Sequence, residues 1–119
     1  MTHLSKGQQQ FDSRQFEAAV GSFSQALTED PKDREAFNYK GMALFELGKH
    51  PQAIQNYSKA IELDSTYANA YHNRGWAYYL TNKSDLALGD INKAIELDAG
   101  NADSFNNRAT IHSNFQRFE

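Results

Sequence analysis

The side chains able to bind or react are amides, aromatic rings, a column of cations and scattered histidines. Asn38, Asn73, Asn106 and Asn107 each carry a donor and an acceptor, which suits pairing with the backbone of an extended segment whatever its sequence. Trp76 is the sole tryptophan, and with Met42, Phe45 and Tyr79 it offers the apolar, polarizable surface that anchors protein partners. Lys6, Lys40, Arg74 and Arg108 recur at a constant interval. They read either as a stripe for an anionic ligand or, more simply, as long stems over apolar surface with heads in water.

Other chemistry is not supported. His3, His50, His72 and His112 show no i, i+4 metal-ligand spacing, so no metal site is expected. There is no cysteine, which removes disulfides, thiolate nucleophiles and cysteine zinc sites while leaving the compartment open. No nucleophile elbow, phosphate-binding loop or dinucleotide glycine fingerprint occurs, so the expectation is a protein that is not an enzyme and takes no cofactor. A net charge of -3, spread without blocks of one sign, gives no pull toward nucleic acid or an anionic membrane. The start lacks a signal peptide's apolar run, and no stretch of about 18 apolar residues could span a bilayer. A soluble, cytoplasmic protein is expected.

These groups must be positioned by something, and the sequence repeats. Its 119 residues, 39% hydrophobic and 13% aromatic, suffice for one domain with a core. The stretch from Ser58 to Asp64 reads SKAIELD and that from Asn92 to Asp98 reads NKAIELD, so the interval between Ser58 and Asn92 sets the period. Gly7, Gly41 and Gly75 keep the same step and are followed by Ala109; Ala19, Ala53 and Ala87 keep it, as do Ala26, Ala60 and Ala94. Small residues at these points let two helices approach closely while larger neighbours fill the flanks. Ala53, Ile54, Tyr57, Ala60 and Ile61, and again Leu86, Ala87, Ile91, Ala94 and Ile95, form an apolar stripe at helical spacing. Gly48, Pro31 and Gly100 read as stop signals, and Asp33, Ser84 and Asn101 as N-caps. Seven helices are predicted, near 2–13, 16–29, 34–47, 50–63, 68–81, 84–97 and 102–117.

This pattern resembles the tetratricopeptide repeat. The residues that carry the likeness are Phe37, Gly41, Leu44, Ala53, Tyr57 and Ala60, then Tyr71, Gly75, Tyr78, Ala87, Ile91 and Ala94. An earlier unit keeps Gly7, Ala19, Phe23, Ala26 and Pro31 but has His3 and Gln10 where large apolar groups are usual, as suits a solvent-facing end. The resemblance implies an all-α solenoid: a right-handed superhelix of antiparallel helix pairs, with repeats at 1–33, 34–67, 68–101 and a half repeat at 102–119. A first helix without its partner, carrying Phe115 and Phe118, suggests either a piece of a longer array or a helix that docks on another copy to form a homodimer. The array as a docking arm for an attached catalytic domain is a third possibility.

The resemblance also implies where a partner binds. In this family the first helices line a concave groove that takes a peptide or helical segment of another protein, in a scaffold or adaptor role. Carried over, the groove is lined by Asn38, Tyr39, Met42, Phe45, His72, Asn73, Trp76, Tyr79, Asn106 and Asn107. The amide row is similar to the asparagine ladder of the O-linked N-acetylglucosamine transferase superhelix, interrupted by Ser5 and Tyr39. Relatives that clamp the terminal carboxylates of heat-shock proteins use Lys and Arg on this wall. Here those columns hold Leu4, Gln8, Tyr39, Asn69 and Asn73, or Asn38, Met42, Asn73, Asp103 and Asn107, so such a tail is not an expected ligand. Finally, Arg74 and Asp90 sit at equivalent heights about the Asn82 turn and are expected to pair.

Overall fold

The computed structural model describes residues 2–117, with side chains through Asn114. Its elements are α1 (His3–Asp12), α2 (Phe16–Glu29), α3 (Arg34–Glu46), α4 (His50–Leu63), α5 (Ala68–Leu80), α6 (Ser84–Leu97) and α7 (Ala102–Arg117). Each limit lies within one residue of the sequence expectation. The apolar period decided this outcome: the buried positions of α4 are Ala53, Tyr57 and Ala60, and those of α6 include Ala87, Ile91 and Ala94.

The turns within the hairpins are closed chiefly by backbone, and in the last the Thr81 hydroxyl also donates to the Ala77 and Tyr78 carbonyls. Arg14, Gly48 and Asn82, at equivalent positions of successive repeats, have φ of 62°, 79° and 65°. The following N–H groups of Gln15, Lys49 and Lys83 donate back to the carbonyls of Gln10, Leu44 and Tyr78 at 2.8, 2.9 and 2.9 Å. That left-handed residue followed by a six-to-one hydrogen bond is a Schellman turn. Gly48 is therefore the stop signal its type suggested. Ser84, expected as an N-cap, is instead the first residue of α6; Lys83 precedes it without a side-chain cap because the turn already places that backbone.

At the starts of α3 and α7 side chains take over, whereas α5 follows Tyr67 with no side-chain cap bond. Asp33 accepts from the N–H groups of Glu35 and Ala36, and Asn101 accepts from those of Asp103 and Ser104. Asp30 caps α2 just before Pro31. Gly100, read as a stop signal, lies beyond the true C-cap Asp98 and donates its N–H to that carboxylate at 3.2 Å.

Two compact units result, residues 1–65 and 66–119. In the first, α1 packs on α2, α2 on α3 and α3 on α4. Its core centres on Ala19, Phe23 and Ala43, with Leu4, Phe11, Phe16, Val20 and Tyr39 around them. A Cβ placed on Gly41 would lie 2.6 Å from the Tyr57 ring and 3.1 Å from the Ala53 carbonyl, so the glycine sets how closely α3 and α4 approach. In the second unit α5 packs on α6 and α6 on α7, around Ala87, Ile91 and Ile111. Gly75 repeats the device: a Cβ there would meet Ile91 at 2.8 Å.

On α7, Phe105 is 40% exposed with the Arg108 guanidinium 5.2 Å above its ring. The Phe118 residue and the Phe115 side chain, expected to stand exposed, lie outside the described residues.

Candidate partner-binding faces

The first helices carry the residues that the sequence singled out, and each unit presents its own set. In the first unit α3 turns Glu35, Tyr39, Met42 and Glu46 to one side, since spacings of four, three and four residues share a helical face. Tyr39 is only half-exposed: its ring stacks on Phe23 at 5.6 Å and meets Phe11 edge-on at 6.4 Å. Met42 is half-buried as well, and Phe45 leans on His50 with centroids 4.7 Å apart. Asn38 departs from the expectation of a ligand-facing amide. It is 3% exposed, and its Nδ2 points to the Met42 sulfur at 3.8 Å, so one step around the helix separates accessible from interior.

In the second unit α5 and α7 bring the candidates together more tightly. His72 Nδ1 lies 2.8 Å from the Ser104 hydroxyl, and Asn107 Nδ2 lies 3.4 Å from His72 Nε2. With the Asn107 amide donating, Nε2 is the acceptor and Nδ1–H donates to Ser104. The ring is thereby held neutral and oriented. Burial pushes its pKa down, and the nearby Asp103 carboxylate partly opposes this. Trp76 sits one turn along α5, half-buried, its ring 5.1 Å from that of Tyr79. The Asn114 amide donates to the Tyr79 hydroxyl. Asn73 is half-buried and Asn106 exposed.

Ser104 and Asn114 were not singled out in the sequence. Ser104 is fully buried, and the small polar residue in an apolar column was the available signal. Its hydroxyl is shielded and engaged with His72, so the pair positions α7 on α5 rather than offering a nucleophile. Among the described residues, no group of three His, Asp or Glu could hold a metal, and no helix is long and apolar enough to cross a membrane.

Arg74 pairs with Asp90 as its position required, Nε to Oδ2 at 2.7 Å and Nη2 to Oδ1 at 2.8 Å. The guanidinium also lies over the rings of Tyr71 and Tyr78, at 5.8 and 5.6 Å. That occupies one member of the cation column in the fold itself. Arg108 similarly reaches Asn92, at 3.3 Å.

Comparison with known proteins supports the helical-repeat fold. A family model described as TPR repeat matches residues 41–82, and one described as tetratricopeptide repeat matches residues 68–101. Among curated proteins the chain has no significant match. Among solved structures it is similar to the first TPR of Spaghetti (RPAP3) bound to the HSP90 peptide SRMEEVD, with 24% identity over 96% of this chain and 90% of that one and a TM-score of 0.93. The second TPR domain of human RPAP3 in complex with the HSP70 peptide SGPTIEEVD gives 22% identity, coverage of 93% and 92%, and a TM-score of 0.88. The Arabidopsis OM64 TPR domain gives 22%, 93% and 92%, and 0.90.

Proposed function

Since the chain is built of tetratricopeptide repeats, we propose that it is a protein-interaction module whose first-helix faces take a peptide or helical segment of another protein. The observation that carries this reading is the Trp76–Tyr79 ring pair, half-exposed on α5 beside the hydrogen-bonded edge of His72 and Asn107. Rigid aromatic anchors flanked by amides supply buried area and backbone pairing together. Neighbouring structures hold HSP90 and HSP70 peptides, which supports a peptide-binding role for the fold. The acidic tails of those peptides are not the ligand proposed for this chain, whose corresponding columns contain no Lys or Arg.

The test starts from peptides selected by display against the immobilised chain, then titrates them while following the emission of its one tryptophan. Trp76→Ala should weaken binding by about 2 kcal/mol with helicity unchanged. Selected peptides that leave the emission unmoved, and bind a folded Trp76→Ala variant equally well, would place the interaction elsewhere.

The exposure of Phe105 favours a second reading, self-assembly through 102–119. Light scattering across concentration, for the full chain and for one ending at Asn101, separates the two: only self-assembly gives a dimer that the shorter chain loses.

A further inference from the structure

We propose that the α3 face of the first unit accepts a lysine- or arginine-bearing segment of the partner; this rests on the peptide-binding reading above and specifies its ligand. The face has an apolar middle, Tyr39 and Met42, and a carboxylate at each end, Glu35 and Glu46. Asp12 occupies the repeat position of Glu46 one unit earlier, on α1, which packs against α3.

The three carboxylates are exposed and, unlike most acids of the chain, held by no ion pair or side-chain hydrogen bond, although, after burial, the charge of Glu46 also helps to raise the pKa of the Tyr57 hydroxyl. Asp64 pairs with Arg34, Asp90 with Arg74, Glu62 with Lys59, Glu96 with Lys93 and Glu29 with His3. Asp30, Asp33 and Asp98 accept backbone N–H groups. Among the described residues, Asp12, Glu35 and Glu46 have neither an ion pair nor a side-chain hydrogen bond. Nor is a cation available on the face to neutralise them. The sequence has 12 Lys and Arg, and none falls at the repeat positions of Glu35, Tyr39, Met42 or Glu46 in any unit.

An apolar strip rimmed only by free carboxylates rejects an acidic segment by like-charge repulsion and rewards a cationic one whose stem covers the strip while its head meets the rim. The charge preference is thus opposite in sign to that of the EEVD-ending peptides seen with the neighbouring structures.

Three labelled peptides of equal length test this, with one leucine–glycine frame carrying Lys, Gln or Glu at the same positions, each titrated into the full chain by anisotropy. The Lys peptide should bind about tenfold tighter than the Glu peptide at low salt, an advantage that several exposed ion pairs can supply. High salt and the Glu35→Gln/Glu46→Gln variant should both erase it. Glu17→Gln, which removes an exposed acid on α2, should leave it intact, separating the face from attraction to the net charge. Equal binding of all three peptides, weakened by Trp76→Ala, would overturn the charge preference and leave the interaction module standing. A Lys preference that survives Glu35→Gln/Glu46→Gln, or no binding up to about 1 mM, would overturn the inference as well.

Discussion

The guanidinium of Arg74 on α5 holds the carboxylate of Asp90 on α6 through two parallel hydrogen bonds of 2.7 and 2.8 Å, with side chains 20% and 10% exposed. Hydrogen bonding to Asp90 outweighs burial and keeps the guanidinium pKa raised. Asp90→Ala strands a largely buried cation and should lower stability by about 2 kcal/mol in urea unfolding. Arg74→Met combined with Asp90→Leu removes both charges and should be far milder. If the double variant is as unstable as Asp90→Ala, packing rather than charge governs the site.

The glycines divide by what surrounds them. Gly41→Ala pushes a methyl toward the Tyr57 ring and the Ala53 carbonyl, and should cost about 1–3 kcal/mol. Gly21→Ala and Gly89→Ala, where nothing lies within 4 Å of the added carbon, should raise stability by about 0.5–1 kcal/mol. Thermal unfolding of the three variants checks both signs.

Arg14 occupies the left-handed turn position that Gly48 fills one repeat later. A side chain there costs about 1 kcal/mol, so Arg14→Gly should stabilise, less the loss of its stacking 5.5 Å over Phe16. Gly48→Ala should do the reverse. Denaturant midpoints for the two variants provide the comparison.

His72 gives the fold a pH dependence with a definite sign. Its folded-state pKa is lowered from 6.5, chiefly by burial, so the unfolded chain takes up the proton first as pH falls. The stability this group contributes is complete above about 6.5 and is lost as the pH drops from there through the folded-state value. His72→Gln should flatten that decline, measured as the difference in urea midpoint between neutral and mildly acidic buffer. An unchanged slope would show that His72 does not carry the dependence.

The helices and the Arg74–Asp90 pair were legible because each follows from spacing alone. A constant repeat period fixes which positions oppose each other across a hairpin, and two opposite charges at facing heights have few other outcomes. The candidate faces were less legible. Asn38 and Tyr39 are adjacent in sequence, yet one is buried and the other packs against Phe23 with part of its ring open. A wheel projection separates them by one residue's rotation, and which side of that boundary meets solvent depends on the bulk of the neighbouring helices. Ser104 eluded the reading for the same reason: its value lies in His72, on another helix. The caps show the converse, since Asp33 and Asn101 act locally and were found, while Ser84 lost its role to a turn closed by backbone.

That backbone closure has a consequence for how the molecule opens. The amides of Gln15, Lys49 and Lys83 lie in connecting turns but are tied to carbonyls of the preceding helix at 2.8–2.9 Å. They should exchange with deuterium as slowly as helical amides. The links at 30–33 and 98–101 rely on longer 3.3 Å backbone bonds and on exposed aspartate side chains. Exchange should therefore be fastest there, and a protease should cut first between hairpins, releasing them as intact pairs.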